Sequence, residues 1–180
     1  MVIRMVNIDL VDALKGCGAV KFGDFVLASG KRSSYYIDIK IALTKPEILA
    51  EIARRMVKLL DGDKVAGMEL GAVPIATAVA MLSHKEMVII RKREKGHGLS
   101  GRIIGDVSTG DRITVVEDVT TTGGSLIDAI NVLRAVGGEV KRALVVVDRD
   151  EGAVDELKKI GVELVPLLTA KELLRGEGIP

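Results

Sequence analysis

The sequence predicts an α/β fold with a central, mostly parallel sheet flanked by helices, and three observations lead there. Strand-like and helix-like segments alternate through the middle of the chain, the order expected of a parallel α/β sheet. Each predicted strand runs straight into a charged or glycine-rich stretch, which is where open parallel sheets keep their ligands. The length, 180 residues, suits one domain with a full core, so residues 1–180 are expected to form a single domain.

The first forty residues depart from the alternation. A short helix is expected over 8–14, then two strand-like pieces near 25–27 and 35–39, joined by the turn "ASGKRSS". Together, residues 1–40 read as a small hood or flap over the main sheet. Within 45–60, Ile48, Leu49, Ile52, Ala53, Met56, Leu59 and Leu60 recur at helical spacing, and Thr44 with Glu47 predicts a capping box around Pro46. A strand at 65–68, a helix over 73–82 and a strand at 87–90 follow. Next come a strand at 113–116 and a helix over 125–136 that stops at Gly137 and Gly138. The most continuous β-branched run is 143–147; a helix over 154–160, a strand at 163–167 and a helix over 170–175 complete the chain.

Composition narrows the function classes. Lys plus Arg number 26 against 25 for Asp plus Glu, so no global field draws the chain to nucleic acid or membrane, and electrostatic specificity must be local. No apolar run approaches the roughly 20 residues that span a bilayer, and "MVIRMVNIDL" lacks the layout of a signal peptide, so a cytoplasmic protein is expected. Cys17 is the only cysteine, which rules out an intrachain disulfide or a cysteine-built metal site.

The strand exits read "ELGAVP", "RKREKGHGLSG", "EDVTTTGGS" and "DRDEG"; if the strands are parallel, these four stretches meet in one crevice. In the third, residues 120–125 enter a helix, whose first backbone amides carry partial positive charge and lack internal partners. Gly123 and Gly124 allow close approach of a phosphate, Thr121, Thr122 and Ser125 add hydroxyl donors, and Glu117 and Asp118 can accept from vicinal sugar hydroxyls. The segment therefore reads as a grip on ribose 5-phosphate, although a capped turn with solvated acids has the same composition.

"VVEDVTTTGGS" resembles the phosphoribosyl-diphosphate (PRPP) binding motif of type I phosphoribosyltransferases, and differs from a P-loop because no Lys follows the glycines. "RKREKGHGLSG", with the spacing R-K-x-x-K-x-H-G, is similar to the catalytic loop of orotate phosphoribosyltransferases, and "FGDFVLASGKRSSYYIDIK" resembles their N-terminal segment. Taken alone, the cationic run is compatible with a basic surface loop. The resemblance implies a type I phosphoribosyltransferase fold and transfer of phosphoribose from PRPP to orotate, with Mg²⁺ held chiefly by the substrate and no protein-built metal site. It places Glu117, Asp118, Val119, Thr120, Thr121, Thr122, Gly123, Gly124 and Ser125 on PRPP, with Arg91, Lys92, Lys95 and His97. Lys95, His97 and Asp118 would be catalytic, Lys95 as main charge stabiliser for departing diphosphate; Thr121 and Arg149 would bind orotate, and Tyr35 and Tyr36 would lie near the base. The resemblance also implies a homodimer in which the 91–101 loop acts across the interface. The chain departs from some relatives in having Ala28 and Gly71 where they carry lysine, and Lys31 or Arg32 are candidates to compensate. A purine phosphoribosyltransferase or a PRPP-sensing regulator are the alternatives.

Overall fold

The computed structural model describes residues 8–26, 32–93 and 99–176. Helix α1 (Leu10–Gly16) begins where the Asp9 carboxylate accepts hydrogen bonds from the amides of Val11 and Asp12, two donors that a helical first turn leaves without partners. It feeds an antiparallel hairpin of β1 (Val20–Val26) and β2 (Arg32–Ile37), which is a sheet of its own. Helices α2 (Ile39–Leu43) and α3 (Pro46–Val57) follow, then β3 (Lys64–Met68), α4 (Ala72–Ser83), β4 (Glu86–Ile90), β5 (Ile103–Ile104) and β6 (Arg112–Thr120). Helix α5 (Gly124–Ala135), β7 (Glu139–Asp148), α6 (Ala153–Lys159), β8 (Glu163–Thr169) and α7 (Ala170–Leu173) complete the described chain.

Six strands form the main sheet in the order β5-β4-β3-β6-β7-β8. The pairs β3–β4, β3–β6, β6–β7 and β7–β8 are all parallel, and β5 alone adds antiparallel pairing at the edge. Because successive strand side chains face opposite ways, Leu144 and Val146 of β7 join one buried layer with α3 and α4, while Ala143 and Val145 join the other with α5 and α6. Val20 and Ile37, at the base of the hairpin, are buried in the first of these layers.

Several sequence expectations are corrected. The capping box at Thr44 and Glu47 does not form: the Thr44 hydroxyl donates back to the carbonyl of Ile41 (2.7 Å), closing α2, and α3 starts from Lys45 with Pro46 in its first turn. A capping box exists instead at Thr169 and Glu172. The second strand-like piece ends at Ile37, because Asp38 caps the amide of Lys40 and turns the chain into α2. Strand β6 does not stop at 116 but continues through Thr120, so the acid pair lies inside a strand.

Candidate active site

The parallel pairing brings the strand ends to one edge, where hydrogen bonds join their exits in two pairs. The amide of Glu69, after β3, donates to the carbonyl of Ile90 in β4 (2.9 Å), and the Lys92 amide donates to the Glu69 carboxylate (2.8 Å). Across the sheet, the Arg149 amide donates to the carbonyl of Thr120 (3.0 Å), so the end of β7 is fixed to the end of β6.

Between β6 and α5 the chain must turn sharply, and Gly123 does so with φ of 83°, a left-handed conformation unfavourable to other residues. A Cβ there would also lie 2.7 Å from Leu157 of α6. No side chain caps the amides at the start of α5, although Thr122 and Ser125 stand exposed beside them and Thr121 is half-buried. This uncapped end of a twelve-residue helix is suited to an anion.

Of the two acids, Glu117 is withdrawn from solvent and Asp118 is half-buried. The Glu117 carboxylate accepts from the amide of Asp118 (3.0 Å), whose own carboxylate accepts from the amide of Val119 (2.8 Å). Burial, reinforced by the neighbouring Asp118 charge, pushes the Glu117 carboxyl up to about 8, against some relief from Lys92. That environment favours the protonated form of Glu117. Asp118 lies 3.8 Å from the ammonium of Lys40, which also pairs with Asp38 at 3.0 Å. Asp38 chiefly, with Asp118 adding, holds the Lys40 ammonium above its usual range despite partial burial.

Gly71 makes this packing possible. A Cβ at position 71 would sit 2.2 Å from Asp118 Oδ2, so the space a side chain would need is already taken by the carboxylate.

At the far side, the Arg149 guanidinium lies 5.2 Å from the ring centre of Tyr35. Its buried Nε is 3.0 Å from a Glu151 oxygen yet has no hydrogen-bond partner; the N–H does not aim at the carboxylate, and the pair is Coulombic. Asp148 beside it is almost fully buried, and burial raises its carboxyl above the usual range, although its Oδ1 accepts from the Asp150 amide (3.2 Å). Tyr36 packs on Phe25 with ring centres 5.8 Å apart.

Of the residues singled out in sequence, Arg91, Lys92, the run from Glu117 to Ser125 and Arg149 all stand at this edge. Lys95, His97, Ala28 and Lys31 lie outside the described residues. Arg32 pairs with Asp24 across the hairpin at 3.1 Å, whereas the cation beside Asp118 is Lys40, which sequence reasoning passed over along with Asp38 and Glu69. The signal was present: "YYIDIK" ends a strand in charge as the other exits do.

A profile of the phosphoribosyl transferase domain matches residues 39–168, from the start of α2 into β8. An orotate phosphoribosyltransferase of Methanosarcina mazei is 52% identical over 170 residues, covering 93% of this chain and 91% of the relative. The chain belongs to the orotate phosphoribosyltransferase family. Among solved structures, the orotate phosphoribosyltransferase of Aeropyrum pernix superposes with a TM-score of 0.86 at 39% identity, over 94% of this chain and 98% of that one. The Mycobacterium tuberculosis orotate phosphoribosyltransferase in complex with PRPP superposes at 0.76 with 32% identity, over 91% and 96%. The type I phosphoribosyltransferase fold implied by the motif resemblance is therefore the fold of this family, and these likenesses extend over most of the chain.

Proposed function

We propose that this chain transfers the 5-phosphoribosyl group of PRPP to orotate, giving orotidine 5'-monophosphate and diphosphate in pyrimidine nucleotide synthesis. The observation that carries this reading is the meeting, at one sheet edge, of an uncapped helix N-terminus, an acid pair with Glu117 buried, and an arginine stacked on tyrosine. In it, the orotate ring nitrogen bonds to the anomeric carbon while the bond to diphosphate breaks, and the departing oxygen keeps the electron pair.

The amides and hydroxyls from Thr120 to Ser125 hold the 5'-phosphate. Glu117 and Asp118 hydrogen-bond the vicinal sugar hydroxyls, so the pair orients both. Arg91 and Lys92 stand on the diphosphate side, and Lys95 and His97 are assigned there with them as stabilisers of the leaving charge. Arg149 grips the orotate carboxylate with its planar guanidinium, helped by Thr121.

The donor set fits a Mg²⁺ ion that arrives with PRPP: among the described residues no three carboxylate, imidazole or thiol groups gather into a cage, and burial holds Glu117 toward its neutral form. When bound, such an ion offsets the charge of the diphosphate. We assign the whole chain to one domain with residues 1–40 as a hood, acting in the cytoplasm on small molecules, without nucleic acid or membrane. No helix among the described residues is long and apolar enough to cross a membrane. A homodimer is supported by the exposed Leu70, Met81 and Leu82 on and beside the apolar helix α4. In that dimer the 91–101 loop acts in the partner's site, so mixing inactive Lys92→Ala and Asp118→Ala subunits should restore part of the activity; no recovery would confine each site to one chain.

Orotate consumption followed by absorbance, with PRPP and Mg²⁺, tests the reading directly. Turnover with hypoxanthine, guanine or adenine but not orotate would replace it with a purine enzyme, and PRPP binding without turnover would replace it with a sensor.

A further inference from the structure

Lys40 has no part in the chemistry above, yet the fold sets it against Asp118. It lies in α2, where Ile39 and Ala42 are fully buried and anchor the short helix to the core. The cap residue Asp38 is fixed in turn, because its amide donates to the carbonyl of Ala19 (2.8 Å). One oxygen of the Asp38 carboxylate then takes both the Lys40 amide (3.2 Å) and the Lys40 ammonium (3.0 Å), which holds an otherwise flexible side chain back over the cap. The same ammonium lies 3.8 Å from Oδ2 of Asp118.

Asp118 is bounded on three sides. Its Oδ1 accepts from the Val119 amide (2.8 Å), its Oδ2 fills the room that a side chain at position 71 would need, and Lys40 stands beside that same oxygen. The amide and the glycine limit where the carboxylate can lie, but neither carries a full charge to draw it there. Lys40 does, and among the described residues it is the cation within ion-pair distance of Asp118. The lysine side chain is 54% exposed and that of Asp118 only 14%, so the pair should add little to stability. Its effect falls on the less exposed partner, where water screens the charge least.

We infer that Lys40 is a positioning residue: held by Asp38, its ammonium draws the Asp118 carboxylate into the space that Gly71 leaves open, and so fixes the acid that grips the ribose. The inference rests on the functional reading that gives Asp118 a sugar hydroxyl. Every group in it belongs to α2, its cap, β6 and the turn before α4 of one chain, so it holds whether the cationic segment after β4 serves that chain's site or its partner's. Because Lys40 acts through Asp118, removing it has no further effect once the Asp118 charge is gone.

The experiment is a double-mutant cycle of Lys40→Met, Asp118→Asn and the two combined, read as the calorimetric Kd for ribose 5-phosphate, with Michaelis constants measured for Lys40→Met. Lys40→Met is expected to weaken ribose 5-phosphate and raise the PRPP KM by about tenfold, with the orotate KM within about twofold. The double variant should match Asp118→Asn within about twofold. Sugar-phosphate affinity unchanged in Lys40→Met would overturn the inference. So would losses that add in the double variant, since Lys40 would then act on the ligand or the fold without Asp118. Lys40→Gln, which keeps a polar head near Asp38 but no charge, should behave as Lys40→Met does; parent-like affinity there would assign the effect to packing and refute the role of charge. Should the parent protein bind ribose 5-phosphate without consuming orotate, the functional reading fails while the cycle still decides the role of Lys40.

Discussion

The two edges of the sheet treat charge in opposite ways. At the edge where the strands begin, Lys64 pairs with Glu86 and Asp111, Arg112 with Asp63, and Arg142 with Glu163. Their pKa shifts go toward the charged form: carboxylate partners raise Lys64 and Arg112, the Ser108 amide and Lys64 lower Asp111, and Arg112 lowers Asp63. At the edge where the strands end, Glu117 and Asp148 are raised by burial, toward the neutral form, and the Arg149 Nε lacks an acceptor. Charges at the first edge are matched to one another. At the second, Lys40 also pairs with Asp38 and Asp118, and Arg149 with Glu151, but two buried carboxyls are held toward their neutral forms, and such perturbed groups mark a site of chemistry.

The sharpest way to break this contrast is Gly71→Ala, because the new methyl must displace the Asp118 carboxylate or the backbone beside it. Turnover per bound PRPP is expected to fall by about a hundredfold, on the scale of a misplaced catalytic group, with the melting temperature changed little. Near-parent rates would mean that Asp118 has room to move at no cost. Next in size, Arg149→Ala should raise the orotate KM by roughly tenfold or more, as expected for a lost charge-assisted carboxylate contact, and leave the PRPP KM within about twofold. Equal rises in both would undo the assignment of Arg149 to orotate.

A third test uses pH. Unfolded, the Glu117 carboxyl releases its proton near 4.5; folded, it does so near 8. Between those values folding takes up a proton, so this group's contribution to stability falls as pH rises through the window and is flat outside it. Glu117→Gln, a neutral mimic, should therefore raise the melting temperature relative to the parent by roughly 5 °C at pH 8.5, with a smaller difference at pH 5. A difference independent of pH would show that Glu117 is charged in the folded protein. The smallest effect is expected at the opposite edge: Asp63→Ala breaks an exposed pair with Arg112, and should leave kcat/KM within about twofold and the melting temperature nearly unchanged. A large loss of turnover there would erase the distinction between the edges.

Much of the site was readable in advance because the relevant pattern is local. An apolar run followed by two acids, three threonines and two glycines carries its own geometry: a buried strand, a left-handed turn at Gly123 and a helix start with its amides uncovered. Some of the missed features depend on segments far apart in the chain, others on a local competition for one group. Lys40 meets Asp118 across 78 positions, a meeting visible only once α2 is seated against β6. The Thr44–Glu47 box had the right letters but lost to a competing bond, since the Thr44 hydroxyl was already used in closing α2.

Periodicity and composition were sufficient to specify an α/β chain with charged or glycine-rich strand exits, because hydrophobic spacing and turn residues act over a few neighbours. They could not specify which acid would be held toward its neutral form or which cation would stand beside Asp118. Those properties follow from burial and from distances between remote segments, and a buried carboxyl keeps its proton only where folding has removed the water around it.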